Sequence, residues 1–366
     1  MTKYLVSIIG NQTLPNILPI KEFSSQIQNH IFISTSKVQT ELSWIKKLCN
    51  IQESQCINLP SVDENDISDI IGKLGEISEQ FNSDDLFFVN LTGGTKIMSL
   101  GAFQFFSQNT FNTEMFYINI GSNVLRQVYP LVSHEVRDKP LHYRLNVEEF
   151  LLCYGASVQN KHEIFTTVMD KAYTQQFYDN EWSKNLIISK LRCENYPNKG
   201  LIFSNVSSQF RNEVKDFLNL INFKLKISDR LIPKEIKYLI GGWWEEYCFH
   251  YVKDKLNIQE PFVAIGLQNT KTNNELDLCF VVNNVLYVFE CKTTVFNKDE
   301  FEDYVYKLAA IKDNKNGFGI TVKAYLVTNL FKMTNNEIDA TFKKRAEAFN
   351  IKLIDKSFLE SKNFNL

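Results

Sequence analysis

The spacing of apolar residues changes character along this chain, and each change marks an element. Tyr4 to Ile9 is a continuous apolar run of the buried-strand kind, ending in Gly10-Asn11-Gln12-Thr13-Leu14-Pro15-Asn16. A helical pattern runs to about Gln28, Ile31 to Ser34 reads as a second strand, and a helix follows through Trp44. Leu86 to Leu91 is a third apolar strand, Ile97 to Ser107 a helix and Met115 to Ile120 a further strand. Strand and helix in alternation predict a doubly wound α/β sheet over roughly the first 145 residues. Periodicity weakens from Val147 to about Ser228, where polar clusters and Tyr196-Pro197-Asn198-Lys199-Gly200 give turn signals. From about Leu231 the pattern becomes helix, hairpin, helix (Asp299 to Lys312), strand (Val322 to Thr328) and a helix near Ala340 to Phe349. The expected division is an N-terminal domain over 1–146, a connecting region over 147–228 and a C-terminal αββαβ domain over 229–366.

The hairpin carries the clearest chemistry. Asn274 to Thr293 reads NELDLCFVVNNVLYVFECKT, with two apolar runs around Asn283-Asn284. Asparagine tolerates the left-handed backbone of a two-residue hairpin turn. With Val282 paired to Val285, Asp277 falls opposite Glu290 and Glu275 opposite Lys292, while Cys291 turns to the other face. Like charges opposed across strands destabilise a sheet, and carboxylates near an apolar layer are costly to desolvate. A hard divalent cation such as Mg2+ or Mn2+ removes that conflict, and a nearby lysine can orient a water or steady charge developing on a phosphate.

Composition narrows the setting. The chain is 44% hydrophobic and 22% charged, as folded proteins are, and no stretch approaches the ~20 apolar residues of a membrane span. Seven cysteines without C-x-x-C spacing argue for reduced thiols and a cytoplasmic location, and against a disulfide frame or zinc site. With a net charge of −2 there is no global basic field, so nucleic acid would have to meet a local patch. Lys271, Lys298, Lys307, Lys312 and Phe296 near the hairpin are candidates for guiding a strand.

A second site lies near the N-terminus. Thr92-Gly93-Gly94-Thr95-Lys96 connects a strand to a helix, where open α/β sheets bind ligands. Glycines there let backbone N–H groups approach an anion, the helix start adds a positive dipole, and the Thr92 and Thr95 hydroxyls and Lys96 ammonium suit a phosphate. The spacing is neither that of a Walker P-loop nor of a dinucleotide fingerprint.

Two resemblances follow from these residues. Asp277 with Glu290-Cys291-Lys292 resembles the core of the PD-(D/E)xK nuclease superfamily, which implies that Asp277 and Glu290 bind metal and Lys292 assists attack on a phosphodiester. Its usual acidic residue on the preceding helix is matched within Gly241-Gly242-Trp243-Trp244-Glu245-Glu246-Tyr247. Glu245 is the better match, Glu246 stays open, and Glu275 lies beside them. Asn90 to Leu100 resembles the signature of CARF domains, the Rossmann-like sensors of cyclic oligoadenylates in type III CRISPR immunity. Gln12, Thr13, Pro15 and Asn16 resemble their first ligand loop, and Thr35 lies in a segment like the second. Together the two halves are similar to CRISPR ancillary nucleases of the Card1/Can2 type. That resemblance implies an α/β chain with a CARF domain and a restriction-endonuclease-like domain. It also implies a homodimer, cyclic tetra-adenylate as activator in a groove that includes Thr92 to Lys96, Mn2+ or Mg2+ as cofactor, and single-stranded DNA, duplex DNA or RNA as substrate. The rival expectations are a ring nuclease that cuts the activator itself and a regulator without catalysis.

Overall fold

Continuous apolar runs become the inner strands of the N-terminal sheet. The computed structural model describes the chain except for residues 131–137, 193–195, 273, 295–296, 314–315, 320, 330–332, 335–336, 339, 356–358 and 360–366. The described chain forms two compact units. One comprises Met1–Val158, Asn269–Lys271 and Val281–Leu286; the other comprises Gln159–Gln268, Thr272–Phe280 and Tyr287–Leu366.

In the first unit the order is β1 (Lys3–Ile8), α1 (Leu14–Glu22), β2 (Asn29–Ile33), α2 (Gln39–Cys49), β3 (Cys56–Ile57), α3 (Ile67–Ser78), β4 (Leu86–Asn90), α4 (Lys96–Gln108), β5 (Asn112–Ile118), β6 (Val124–Tyr129), β7 (Asp138–Pro140) and α5 (Val147–Cys153). The strands form one sheet in the order β3-β2-β1-β4-β5-β6-β7. Pairing is parallel through β5, and β6 and β7 add antiparallel. Val6, Ile8, Ile31, Ile33, Phe87 and Val89 are fully buried, together with Phe106 and Ala102 of α4. Strands buried on both faces read as unbroken apolar runs, which is why their pattern is continuous rather than alternating.

Strand order reverses between β1 and β4. The crevice outside the carboxyl ends of such neighbours is where open α/β sheets hold ligands. The segments after these two strands, Gln12 to Asn16 and Thr92 to Lys96, run from a loop into the first residues of α1 and α4. Their close approach depends on glycine: a Cβ on Gly93 would lie 1.9 Å from the Ile8 carbonyl oxygen, and one on Gly94, whose φ is +67°, would lie 2.4 Å from Ile8 Cγ2.

The second unit opens with α6 (Lys171–Asp179), α7 (Leu186–Arg192), α8 (Tyr196–Lys199), β8 (Leu201–Ile202), α9 (Ser208–Leu220), β9 (Arg230–Leu231) and α10 (Pro233–Lys237). It continues with α11 (Trp243–Leu256), β10 (Val263–Gln268), β11 (Glu275–Val282), β12 (Val285–Lys292), α12 (Lys298–Ile311), β13 (Lys323–Thr328), β14 (Met333–Thr334), β15 (Glu337–Ile338), α13 (Ala340–Ala348) and β16 (Ile351–Ile354). The five-stranded sheet has the order β10-β11-β12-β13-β16. Asn283 and Asn284 form the hairpin turn with φ of 54° and 60°, as their side chains allow. Val281–Leu286 around that turn belongs to the first unit. There the buried Asn284 accepts from the Leu145 N–H (2.8 Å) and donates to the Tyr143 carbonyl (3.0 Å).

Strand β10 extends the expected αββαβ order. It pairs antiparallel with β11, and Gly266 at φ +58° interrupts its alternation, which hides it from a period-2 reading.

Candidate functional site

Three elements of the second unit converge on one charged centre. Strand β11 presents Asp277 and β12 presents Glu290 and Lys292, while α12 contributes Lys307. Asp277 is 6% exposed and Glu290 2%. Lys292 Nζ lies 2.8 Å from Asp277 Oδ2 and 2.7 Å from Glu290 Oε1. Lys307 Nζ lies 2.6 Å from Glu290 Oε2 and 3.8 Å from Asp277 Oδ1. The Cys291 N–H also donates to Asp277 Oδ2, at 2.9 Å. Tyr304, one turn before Lys307, places its ring 5.2 Å from the Lys292 ammonium. The opposed carboxylates expected from the pattern are therefore stitched together by ammonium groups.

Electrostatics matches this geometry. Burial pushes the Glu290 carboxyl up and the Asp277 charge adds to that, while Lys292 and Lys307 oppose it. Burial alone would lower the Lys292 pKa, but the Asp277 and Glu290 charges prevail and hold it above its ordinary value. The Glu245 carboxyl is raised strongly, first by burial and then by the Asp277 charge, with Glu275 and Glu290 adding.

The Trp-Trp-Glu-Glu segment acquires its geometry from packing. A π-helical turn, Tyr238–Gly242, runs straight into α11. The Ile240 carbonyl of that turn accepts from Arg192 Nη2 (2.9 Å) and from the Thr293 hydroxyl (3.1 Å). Trp243 and Trp244 are fully buried, Trp243 stacking on Phe177 and Trp244 donating to the Val327 carbonyl. Those anchors fix the rotation of α11. Glu246 turns to the backbone, accepting from the N–H groups of Val168 and Met169. Glu245 is the glutamate that shares the field of Asp277. Glu245 and Glu275 also line a cavity of about 590 Å³ with Asn160, His162, Lys234 and Lys237.

Oxygen donors of this kind suit Mg2+ or Mn2+, which bind through one or two carboxylates and keep waters and phosphate oxygens as their other ligands. Among the described residues no three His, Cys, Asp or Glu side chains gather closely enough to hold a metal by themselves. Asp277 and Glu290 are the carboxylate pair that could serve such an ion, with water or phosphate oxygens as its other ligands.

Of the lysines singled out as strand guides, only Lys307 joins this centre. Lys271 donates to the Tyr154 carbonyl, Lys298 pairs with Glu302 on its own helix, and the buried Lys312 donates to the Asn350 carbonyl. Phe296 lies outside the described residues. The sequence reading offered Lys307 only as a strand guide, not as a partner of the carboxylates, and did not name Tyr304. Their signal was their place three apart on α12, flanking the buried stripe Phe301, Val305 and Leu308.

In the first unit the loop residues fall into two groups. Thr13 is buried and its hydroxyl donates to the Cys153 carbonyl. Asn16 donates to the Ile8 carbonyl and accepts from Asn90, which also donates to the Pro15 carbonyl. Thr35 is buried and accepts from the Lys37 N–H, and the Thr92 hydroxyl accepts from the Ile118 N–H. These side chains shape the loops. Gln12, Gly94, Thr95 and Lys96 are exposed, whereas Gly93 is buried. Thr95 caps α4 by accepting from the Met98 N–H at 3.2 Å, so Lys96 begins the helix at its positive end.

Comparison with known proteins agrees with both halves. Residues 4–150 match the Card1 CARF domain family and residues 233–362 the Card1-like endonuclease domain family. No curated protein matches significantly. Among solved structures, Can2 from Sulfobacillus thermosulfidooxidans in complex with cyclic tetra-adenylate is 22% identical with a TM-score of 0.74, over 99% of this chain and 98% of that one. A Vibrio cholerae protein is 19% identical with a TM-score of 0.74, over 98% and 96%. A type III CRISPR defence DNA nuclease activated by cyclic oligoadenylate is 12% identical with a TM-score of 0.57, over 91% of this chain and 46% of that one. With its N-terminal and C-terminal parts each matching, the chain belongs to the Card1-like family, a CARF domain joined to an endonuclease domain.

Proposed function

We propose that this chain is a metal-dependent nuclease switched on by a cyclic oligoadenylate, with cyclic tetra-adenylate as the activator. The observation that carries the nuclease half is the Asp277–Glu290 pair bridged by Lys292 at 2.8 and 2.7 Å, in a chain with an endonuclease-family domain. Asp277 and Glu290 are the metal ligands. Mn2+ or Mg2+ bound there supplies Lewis-acid polarisation of the phosphodiester and lowers the pKa of water. Lys292, held between the two carboxylates, orients the attacking water or balances charge on the phosphate. Glu245 completes the acidic face, and Glu275 borders it. The cavity beside Glu245 gives an extended strand a route past Lys234 and Lys237, whose exposed ammonium groups suit phosphates. Single-stranded DNA, nicked duplex DNA and RNA are the substrates to test.

In the sensor, Gln12, Thr95 and Lys96 meet the ligand directly, and the Gly93-Gly94 backbone lets a phosphate approach. Thr13, Pro15, Asn16, Thr35 and Thr92 hold the loops that frame it. The ligand of the similar Can2 structure supports a tetra-adenylate. Such a ring is twofold symmetric and fits a homodimer whose two sensor domains share one groove. Exposed Leu100 and Phe103 on α4, next to the Thr95–Lys96 loop, support that pairing. Activation is a population shift, and a near-complete switch needs ~5 kcal/mol of preference for the active arrangement. The proposed division is a sensor over 1–146, a connecting region over 147–228 and a nuclease over 229–366. Two variants separate the halves. Glu290→Ala abolishes cutting in Mn2+ and keeps tetra-adenylate affinity in calorimetry, whereas Lys96→Ala weakens that affinity and leaves cutting without activator unchanged. Measurable cutting by Glu290→Ala removes Glu290 from the centre.

A further inference from the structure

The four carboxylate oxygens of the charged centre are shared between two ammonium groups. Asp277 Oδ2 and Glu290 Oε1 face Lys292; Asp277 Oδ1 and Glu290 Oε2 face Lys307. The two sides differ. Oδ2 already receives the Cys291 N–H as well as Lys292, so its hydrogen-bonding capacity is largely used. Among the described residues, Oδ1 has only Lys307, and that at 3.8 Å. The oxygen pair with capacity left for a hard cation is therefore the pair that Lys307 spans.

We propose that the Lys307 ammonium is a resident counter-ion that occupies the carboxylate oxygen pair a divalent cation needs, and that it moves to the substrate phosphate when the cation takes that pair. This rests on the metal-dependent nuclease reading above. Charge explains why a lysine belongs there. Asp277 and Glu290 with Lys292 alone carry −1, and Lys307 brings these four groups to zero, which avoids an unpaired charge in a desolvated site. With a divalent cation held by Asp277 and Glu290, both carboxylates would be neutralised, and Lys292 and Lys307 would be free to pair with the phosphodiester, whose negative charge grows in the transition state. The lysine is placed to move. It reaches the centre from α12, whereas Lys292 shares β12 with Glu290, and Asp277 lies on the paired β11. Lys312, by contrast, is buried and committed to the Asn350 carbonyl.

The test is Mn2+ binding to the full chain without nucleic acid, followed by electron paramagnetic resonance. The variants are Lys307→Met, Lys307→Gln and Asp277→Asn, with Lys344→Met at an exposed position of α13 as control; unfolding temperatures verify that each is folded. Lys307→Met and Lys307→Gln should bind Mn2+ about tenfold more tightly, equivalent to ~1.4 kcal/mol, while cleaving at least about tenfold more slowly at saturating Mn2+. Lys344→Met should match the parent in both. Unchanged or weaker Mn2+ affinity in both Lys307 variants overturns the counter-ion role if Asp277→Asn still abolishes binding. If Asp277→Asn leaves Mn2+ affinity intact, the metal reading itself fails. Tighter Mn2+ binding with undiminished cleavage overturns the transfer of Lys307 to the phosphate.

Discussion

Removing Lys292 should destabilise the metal-free protein, and removing a carboxylate with it should restore much of the loss. Lys292 is 23% exposed at its side chain, and its partners Asp277 and Glu290 are 9% and 3% exposed. Breaking a pair this buried leaves an uncompensated charge and typically costs about 3–5 kcal/mol. The lower end applies here, about 3 kcal/mol, because Lys307 stays on Glu290 at 2.6 Å. Lys292→Met leaves two carboxylates facing one lysine. Adding Glu290→Gln removes one negative charge and returns the centre to neutrality with Asp277 and Lys307. A unit of this size loses roughly 2–4 °C in Tm per kcal/mol, so Lys292→Met should unfold roughly 6–12 °C below the parent. The double variant should recover at least half of that, giving a coupling energy on the order of 1–2 kcal/mol. Calorimetry in EDTA at pH 7.5 reads the parent, Lys292→Met, Glu290→Gln and the double variant. A Tm for Lys292→Met within 1 °C of the parent, or no recovery in the double variant, would refute the buried charge balance.

Two further outcomes follow from the geometry. Gly93→Ala should weaken tetra-adenylate binding at least about tenfold in calorimetry, because its Cβ would lie 1.9 Å from the Ile8 carbonyl and push apart the two loops of the crevice; parental affinity would show that the loops need not touch. The Glu245 carboxyl has a raised pKa in the folded state. Its protonated form therefore favours folding below the ordinary value near 4.5, and that contribution is lost as pH rises through the folded value. Glu245→Gln should thus raise Tm above the parent's at pH 8 in EDTA and match the parent at pH 4, while reducing cleavage; the same difference from the parent at both pH values argues against the burial of that charge.

Local chemistry was legible in the sequence where neighbours in the chain decide it. Asn283-Asn284 fixed a two-residue turn, and the turn brought Asp277 and Glu290 together, because strand period and turn length leave little freedom. Thr92 to Lys96 was readable for the same reason: glycine and a capping threonine mark a strand-to-helix corner. What depends on long-range packing was not legible. Lys307 reaches Glu290 only because α12 packs on the sheet; its place beside the buried stripe of that helix marks a lysine near the core edge but does not name its partner. The phase of α11, which turns Glu246 to Val168 and Met169 and leaves Glu245 toward Asp277, is set by burial of Trp243 and Trp244. Thr13 reads as a ligand hydroxyl in its loop, yet it donates to Cys153, 140 residues away. Strand β10 was hidden by its own Gly266.

The central claim joins an adenylate sensor to a phosphodiesterase, and cleavage measures both at once. Supercoiled plasmid, single-stranded DNA and RNA should be incubated with the full chain and Mn2+, with and without cyclic tetra-adenylate. The account predicts cutting that depends on the cyclic nucleotide and disappears in EDTA. Equal cutting without the nucleotide would contradict the sensor, and no cutting of any substrate in the presence of cyclic tetra-adenylate would contradict the account as a whole.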